Sequence, residues 1–261
     1  MADPSSRQGH RYASPEILRY VDALHASHDG ALAAAFEAPE REGMPAIQVG
    51  ASEGRLLELL ARLTGARRAV EVGTLAGYSA IRLARGLGPE GRLWTFENDP
   101  RHAAVARARI AEAGLGDRVE IVEGDAALRL GDVVQHGPFD LVFLDADKGR
   151  YDLYGRWAAA NVRPGGLLLA DNSYFFGRLH APDDADAAAM RRFHEEAAAH
   201  SEQQPVGGRD ARRLEARRGL LVEAPHRGGV AVVRLEQAPE KVRIVREKQP
   251  SRAHVRGRPP E

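Results

Sequence analysis

A buried strand that ends on charged residues is the first feature of this sequence that could carry chemistry. Residues 139–157, "FDLVFLDADKGRYDLYGRW", begin with an unbroken apolar run and then turn to Asp145, Ala146, Asp147 and Lys148. A tight turn calls for Gly, Asn or Pro more than for two carboxylates and an amine. The cluster is therefore either a solvated corner of the surface or part of a functional site.

Acidic residues end five of the apolar segments. They are Glu71, Glu97, Asp125, Asp145 and Asp171. Any one of these carboxylates can serve as an ordinary turn or helix-cap residue. If the five segments are parallel strands, however, their carboxyl ends lie at one edge of a sheet, which is where ligands bind in such folds. We therefore predict a rim that binds cations or hydroxyl groups.

The segments that carry these residues alternate with helical patterns. Apolar runs such as "RAVEVG", "RLWTFEND" and "RVEIVEGD" are each followed by a stretch with helical spacing, and five such units follow one another. This order predicts an α/β fold in which a parallel sheet is covered by helices on both faces. Two later runs, "GLLVEA" and "GVAVVRLE", are joined by "PHRGG", which predicts a hairpin and an antiparallel last strand. The predicted sheet has seven strands and is mostly parallel.

Three helices are predicted before the first strand. The first covers residues 14–27, with Ser14 as its N-cap and Pro15 in its first turn. The third is predicted to begin at an N-cap Ser52 and to end at Gly65. The predicted divisions of the chain are a helical cap over residues 1–45, one α/β domain over residues 46–236, and a basic, disordered tail over residues 237–261.

The composition excludes several classes of protein. The 261 residues are 43% hydrophobic and 28% charged, and the formal net charge is zero, so no overall field attracts nucleic acid. The absence of cysteine excludes disulfides, thiolate metal sites and a cysteine nucleophile. No apolar run reaches the length of a membrane span, and the first residues lack the apolar core of a secretory signal. We therefore expect a cytoplasmic protein.

The first strand-to-helix turn is typical of a nucleoside site. In "AVEVGTLAGYSAIRLA", Gly73 and Gly77 form a turn at which a ligand can approach the backbone. The glycine spacing is not G-x-G-x-x-G, so the dinucleotide pattern is absent. Glu97 ends the second predicted strand, where an acid commonly binds the two hydroxyls of a ribose. Asp99 and Pro100 instead match the N-cap and the first residue of the next helix.

The order of these motifs resembles that of the cation-dependent O-methyltransferases, the family that includes catechol and caffeoyl-coenzyme A O-methyltransferases. The motifs are "VEVGTLAGYSA", "TFENDP", "VEGDA", "FLDADKGRYDLY" and "GGLLLADNSYFFG", within residues 48–177. The resemblance implies a Rossmann-like seven-stranded sheet, the cofactor S-adenosylmethionine (SAM), a divalent cation that is usually Mg²⁺, and a catechol-like acceptor. It also implies a homodimer, as in bacterial relatives.

The resemblance also implies a role for individual residues. Lys148 would be the base beside the acceptor hydroxyl. The cation would be held by Asp145, Asp171 and Asn172. The cofactor would be bound through its methionine part by Val49, Glu71, Gly73, Gly77 and Ser79, through its ribose by Glu97, and through its adenine by Asp125 and Ala126, with Asp145 also facing it.

These implied roles agree with the chemistry of the residues. Carboxylate and amide oxygens suit a hard divalent cation, and such a cation lowers the pKa of a hydroxyl that it binds. A lysine beside a dication is biased towards its neutral form, which a base requires. Without the motif, Lys148 would be interpreted as a surface lysine. Asp171 and Asn172 would be interpreted as a pair of turn residues. Tyr151 and Tyr154, in the helix that follows, are predicted to be packing residues.

Three other functions stay open at this stage. A methyltransferase of a hydroxylated tRNA base would use the basic tail and the run "RDARRLEARR" on phosphates. A nicotinamide-dependent oxidoreductase would normally show the missing glycine spacing, and a binding module without activity would not need the acidic residues and the lysine. Residues 201–219 and the "PHRGG" turn depart from the family pattern in regions that shape the acceptor pocket, so the acceptor itself stays open.

Overall fold

The computed structural model describes residues 14–181, 183–202 and 231–235, and places a six-stranded sheet between two layers of helices. The strands are β1 (Arg68–Val72), β2 (Arg92–Glu97), β3 (Val119–Glu123), β4 (Phe139–Leu144), β5 (Val162–Ala170) and β6 (Ala231–Leu235). The helices are α1 (Pro15–His25), α2 (Gly30–Arg41), α3 (Ala51–Leu63), α4 (Tyr78–Gly86), α5 (Pro100–Glu112), α6 (Ala126–Arg129), α7 (Tyr151–Asn161) and α8 (Ala185–Glu202). Short 3₁₀ turns occupy Leu130–His136, Lys148–Arg150 and Phe175–Gly177.

The order of the strands creates the place for a ligand. The order is β3-β2-β1-β4-β5-β6; the first five strands are parallel, and β6 is antiparallel to β5. The chain leaves β1 towards β2 and β3 on one side and returns to place β4 and β5 on the other side. Connections therefore diverge at the carboxyl ends of the neighbouring strands β1 and β4, and such a point is the usual ligand site of an open α/β sheet.

Each face of the sheet packs against its own helices because successive side chains of a strand point to opposite faces. On one face, Leu141 of β4 shares a buried cluster with Leu57 of α3 and Ile81 of α4. On the other face, Val142 shares a cluster with Met190 of α8. The sheet is thus buried on both faces, and a ligand can reach it at its edges.

The helix starts agree with the predictions at two positions and differ at a third. The N-caps of α1 and α5 are Ser14 and Asp99, as predicted. The prediction for Ser52 is wrong, since the N-cap of α3 is Gly50 and the Glu53 carboxylate accepts a 2.7 Å hydrogen bond from the Gly50 N–H. That bond satisfies a free donor of the helix start, and Ser52 instead lies within the helix and contacts α1 through its hydroxyl.

The predicted α/β fold class is confirmed, with β6 as the antiparallel strand inside the predicted run "GVAVVRLE". The run "GLLVEA" lies outside the described residues, so the count of seven strands stays a prediction. Strand β5 begins at Val162, earlier than the apolar run "LLLADN" indicates. Its first part, which contains Pro164 and Gly165, is accommodated by an irregular register with β4 between Phe139 and Leu141.

The N-terminal helices differ in how deeply they are buried. Leu32 and Ala35 of α2 belong to a cluster shared with the sheet, whereas α1 exposes Ile17, Tyr20 and Leu24. The domain boundaries at residues 45 and 236 stay predictions, and the predicted tail over residues 237–261 lies outside the described residues. Among the helices that the structure describes, none combines the length and the apolar character needed to cross a membrane.

Candidate active site

A cavity of about 630 Å³ opens at the carboxyl edge of the sheet, where the connections after β1 and β4 diverge. Its walls come from the segment before α3, from the turn after β1, and from the ends of the other parallel strands. The sequence-predicted residues that line it are Val49, Gly73, Ser79, Glu97, Asp125, Ala126, Asp145, Lys148 and Asn172. The sheet therefore brings most of the predicted residues, which are far apart in sequence, to one space.

The remaining predicted residues, Glu71, Gly77 and Asp171, do not line the cavity. Glu71 is fully buried in β1, and Asp171 is 5% exposed beside Asn172. Gly77 has a φ of +85°, and a Cβ at this position would lie 3.2 Å from the Ile110 side chain of α5. The structure therefore gives Gly77 a role in the packing of helices, and the ligand contacts of these three residues stay predictions.

Gly73 brings the ends of β1 and β4 into direct contact. Its φ is +104°, and a Cβ would lie 2.1 Å from the carbonyl oxygen of Asp145, so only glycine fits without a shift of the backbone. The Asp145 N–H donates a 2.8 Å hydrogen bond to the carbonyl oxygen of Val72. The turn after β1 thereby fixes the backbone of the residue that begins the acidic cluster.

Two backbone N–H groups hold the carboxylate of Glu97 at the end of β2. Leu75 donates to Oε2 at 2.8 Å, and Asp99 donates to Oε1 at 2.9 Å. His102 lies close by, with its Nδ1 3.7 Å from Oε1. Each carboxylate oxygen keeps capacity for a further hydrogen bond, so Glu97 is oriented and still able to accept bonds from two hydroxyls.

Arg150 connects Asp125 to the segment after β4. Its Nη1 lies 2.7 and 2.8 Å from the two carboxylate oxygens of Asp125, and its Nε lies 3.2 Å from Asp147 Oδ2. The Tyr154 hydroxyl donates a 2.7 Å hydrogen bond to Asp147 Oδ1. The guanidinium group lowers the pKa of Asp125, which stays ionised. One chain of ion pairs and hydrogen bonds thus joins four side chains, those of Asp125, Arg150, Asp147 and Tyr154.

Lys148 is held by two partners beside the acidic cluster. Its Nζ donates to Asp145 Oδ1 at 3.0 Å and to the Tyr151 hydroxyl oxygen at 2.8 Å. Tyr151 is fully buried, and its oxygen lies 3.0 Å from the carbonyl oxygens of both Leu144 and Asp171. Burial raises the pKa of Tyr151 well above its ordinary value, so the phenol keeps its proton and can donate it to one of these carbonyls.

The carboxylates of Asp145 and Asp171 fit a divalent cation. They follow Leu144 and Ala170, which pair across the neighbouring strands β4 and β5. Asp171 Oδ1 is buried and has no hydrogen-bond partner within the described part of the chain. Burial, and next the charge of Asp145, raise the pKa of Asp171 above its ordinary value. A hard cation would bind the unpaired oxygen and relieve the repulsion between the two carboxylates.

Asn172 supplies an amide at the same wall. Its φ is +51°, a left-handed conformation that Asn tolerates better than most residues. The backbone carbonyl oxygen of Asn172 accepts a 2.7 Å hydrogen bond from the Phe175 N–H, which fixes the turn and leaves the side-chain amide out of this contact. Across the residues that the structure describes, no group of three or more His, Asp or Glu side chains is arranged to hold a metal ion. A cation site here would therefore consist of two carboxylates and one amide oxygen.

Glu71 is a buried acid below the cavity. Desolvation raises its pKa to about 8, although the Thr95 hydroxyl donates a 2.5 Å hydrogen bond to its Oε2. The Thr74 hydroxyl lies 2.6 Å from that of Thr95 and extends the chain of hydrogen bonds. Glu71 Oε1 has no partner among the described residues. Burial therefore favours the protonated form of this carboxyl group in the folded protein.

Sequence reasoning missed three residues that support the site: Tyr151, Arg150 and His102. Tyr151 was predicted only to pack, yet its hydroxyl binds Lys148 and two strand ends. The spacing of three residues between Lys148 and Tyr151, at the start of a helix, could have indicated their contact. No comparable local signal exists for Arg150 and Asp125, because the partners lie 25 positions apart.

The sequence is similar to a known family and to two bacterial enzymes. The family described as O-methyltransferase matches residues 25–204. A catechol O-methyltransferase from Mycobacterium tuberculosis is 46% identical over 179 residues, which cover 68% of this chain and 81% of that relative. A catechol O-methyltransferase from Niastella koreensis is 44% identical over 181 residues, which cover 68% of this chain and 82% of that relative.

The fold is also similar to solved methyltransferases. An O-methyltransferase from Bacillus cereus in complex with SAH has a TM-score of 0.69 and 33% identity, over 83% of this chain and 96% of that chain. TomG from Streptomyces achromogenes, an O-methyltransferase involved in tomaymycin synthesis and solved in complex with SAM, has a TM-score of 0.68 and 36% identity, over 84% of this chain and 96% of that chain. The similarity therefore extends over most of both structures.

Proposed function

This chain belongs to the O-methyltransferase family and is a SAM-dependent enzyme, and on that premise we propose that it methylates one hydroxyl of a catechol-like small molecule with the help of a divalent cation. The observation that carries the proposal is the presence of Asp145, Lys148 and Asn172 on one cavity wall, with Asp171 buried beside them. The catechol O-methyltransferases that are 46% and 44% identical to this chain support the class of acceptor.

The lining of the cavity contains a candidate group for each part of the cofactor. SAM supplies a methyl group on a sulfonium centre, which an oxygen nucleophile can attack directly. Glu97 would accept hydrogen bonds from the ribose hydroxyls, because its carboxylate is already oriented by two backbone N–H groups. The methionine part would lie along Val49, Gly73 and Ser79, with Glu71 and Gly77 below it, and the adenine would lie near Asp125 and Ala126.

The cation would be held by Asp145, Asp171 and Asn172. A divalent cation, such as Mg²⁺, supplies positive charge that lowers the pKa of a hydroxyl bound to it. Three protein oxygens fill about half of the roughly six positions that Mg²⁺ prefers. Two neighbouring hydroxyls of one acceptor then have room beside these residues, which favours a vicinal diol over a single phenol.

Lys148 is the residue that we propose to take the acceptor proton. Its Nζ lies 3.0 Å from Asp145 Oδ1, so the amine stands next to a proposed ligand of the cation. The hydroxyl of Tyr151 holds the same amine at 2.8 Å and limits its motion. With the acceptor fixed by the cation and the cofactor fixed by Glu97, the protein mainly has to align oxygen, methyl and sulfur.

A screen of acceptors tests this function. The purified chain would be incubated with SAM, Mg²⁺ and either catechol, phenol, a mixture of nucleosides, or tRNA, and the products would be identified by mass spectrometry. We expect one methyl group on catechol and a rate with phenol that is lower by about 100-fold or more, since phenol loses one of two anchoring oxygens. Equal rates on catechol and phenol would exclude the vicinal-diol acceptor, and methylated tRNA alone would favour the tRNA alternative.

We also propose that the enzyme is a homodimer. The support is the surface of α1, on which Ile17, Tyr20, Val21 and Leu24 are 49%, 67%, 37% and 58% exposed. Their spacing places them on one face of the helix, and an apolar face of this kind commonly packs against another surface. Light scattering should give twice the mass of the 28.4 kDa chain for the wild type. It should give the mass of one chain for Tyr20→Glu, and a monomeric wild type would contradict the proposal.

A further inference from the structure

A second cleft, of about 590 Å³, lies at the amino edge of the sheet, opposite the proposed active site. It is formed where β1 and β2 begin, near the 3₁₀ turn that precedes β4. Arg67, Arg68 and Arg92 lie along it, together with Trp94 and His136. The same strands β1 and β2 end at the first cavity, so the length of the sheet separates the two sites.

The arginine charges of this cleft are not neutralised by carboxylates of the described residues. Arg68 Nη1 donates only to carbonyl oxygens, those of His136 at 3.3 Å and Gly137 at 3.4 Å. Arg92 Nη1 likewise donates to the Asp117 carbonyl oxygen at 3.1 Å, and no side-chain partner of Arg67 occurs within the described part of the chain. Three arginines thus line one cleft, and none of them forms an ion pair with a carboxylate of the described residues.

The two acidic residues of the cleft do not cancel this charge. Asp140 accepts hydrogen bonds from the backbone N–H groups of Arg67 and Arg68, both at 2.8 Å, and from the Nε of Arg163 at 2.5 Å. Its charge is therefore already shared among other donors. Glu90 is the second acid. Because three arginines line the same cleft, the cleft keeps an excess of positive charge.

Two aromatic rings form part of the wall of the cleft. The Trp94 and His136 rings are stacked, with their centroids 4.6 Å apart and their planes 16° apart. Trp94 is 4% exposed, and its Nε1, which can only donate, has no partner among the described residues. The Gln135 amide nitrogen lies 3.2 Å from His136 Nε2. The Trp94–His136 pair thus forms an aromatic wall beside the arginines.

We propose that this cleft binds a small anion with two or more phosphate groups. Guanidinium groups match phosphate oxygens in geometry and charge. The formal net charge of the chain is zero, so no overall field attracts nucleic acid, which favours a small ligand. Because the cleft lies at the opposite edge of the sheet, the anion does not compete with SAM or with the acceptor.

Tripolyphosphate is the probe, and Trp94 is the reporter. The chain has two tryptophans, Trp94 and Trp157, so Trp157→Phe leaves the emission of Trp94 alone. We expect tripolyphosphate to change this emission with a saturable curve that calorimetry on the wild type reproduces. The double variant Arg67→Gln, Arg92→Gln should bind roughly tenfold more weakly or worse, as expected for the loss of hydrogen bonds to a charged ligand.

Two further variants keep the test independent of misfolding. Glu90→Gln should bind tripolyphosphate about two- to fivefold more tightly, because it removes an opposing charge. Arg41→Gln, on the exposed surface of α2, should bind it as the wild type does. Binding of SAH should be the same in all of these proteins. Equal affinity of the double variant and the wild type for tripolyphosphate would overturn the proposal, and so would an RNA hairpin that binds more tightly through the same arginines.

Discussion

The side-chain nitrogen of Lys148 donates a 2.8 Å hydrogen bond to the hydroxyl oxygen of Tyr151. The same oxygen lies 3.0 Å from the carbonyl oxygens of Leu144, at the end of β4, and of Asp171, just past β5. One buried phenol therefore fixes the proposed base relative to both strands that carry the proposed cation ligands. Tyr151 itself is fully buried and does not line the cavity.

We predict that Tyr151→Phe lowers kcat by roughly tenfold, a part of the 10²–10⁴-fold that a complete general base provides. The ring of Tyr151 lies 4.8 Å from the Lys148 amine, and Phe preserves that contact while it removes the hydroxyl. The KM for SAM should change little, because the lysine does not hold the cofactor. Steady-state kinetics with catechol would measure both constants.

Tyr154→Phe is the matched control for this prediction. It removes a hydroxyl that donates to Asp147 at 2.7 Å and does not touch Lys148. The kcat of Tyr154→Phe should therefore lie closer to the wild-type value than the kcat of Tyr151→Phe. Equal kcat values for Tyr151→Phe and the wild type would show that the lysine needs no support from the phenol.

Arg150 is predicted to support the binding of the cofactor through Asp125. Arg150→Ala should raise the Kd for SAH by about two- to fivefold, the range for an exposed ion pair. When Asp125→Asn is combined with Arg150→Ala, the Kd for SAH should rise little further, because both changes break the same ion pair. Calorimetry would give the affinities, with Arg156→Ala on the outer surface of α7 as the control. Additive losses in the double variant would contradict a shared role.

The sequence predicts the parts of the site that sit at strand ends. Asp145, Glu97 and Asn172 line the cavity because parallel strands bring their carboxyl ends to one edge, whatever the details of packing. The two glycines of the first turn cannot be told apart in this way. Gly73 contacts the Asp145 backbone and Gly77 contacts α5, and these neighbours are set by the tertiary fold.

Local rules also fail where a competing group already satisfies the backbone or where pairing with another strand extends an element. A serine in front of an apolar helix predicts a cap at Ser52, but the Glu53 carboxylate already satisfies the N–H of Gly50. The early start of β5 at Val162 depends on its pairing with β4, which no local pattern contains. Tyr151 matches a packing position, and its polar contacts come from two strands that only the fold brings together.

The buried carboxyl group of Glu71 predicts how stability depends on pH. Its pKa rises from 4.5 to about 8 on folding, so between these values the folded protein holds a proton that the unfolded chain has lost. The free energy of unfolding should therefore fall as the pH rises through this range. Glu71→Gln should remove much of this fall, because the amide does not ionise.

Urea unfolding of the protein without ligands, at a series of pH values between 4.5 and 8, would measure this dependence. The wild type should lose more stability across the series than Glu71→Gln does. The Gln side chain can still accept the hydrogen bond from Thr95, so the variant should fold. Parallel curves for the two proteins would show that Glu71 is ionised in the folded state.

The dependence of methyl transfer on a divalent cation is the property on which the proposed roles of Asp145, Asp171 and Asn172 rest. The measurement is the rate of catechol methylation after dialysis against EDTA, with calorimetric binding of SAH measured on the same sample. We predict that turnover falls below about 1% of its starting value and returns with Mg²⁺ or Mn²⁺, as expected when a cation activates the hydroxyl. SAH should still bind to the dialysed protein. Full turnover in excess EDTA, with SAH bound normally, would contradict a cation-assisted reaction at these residues.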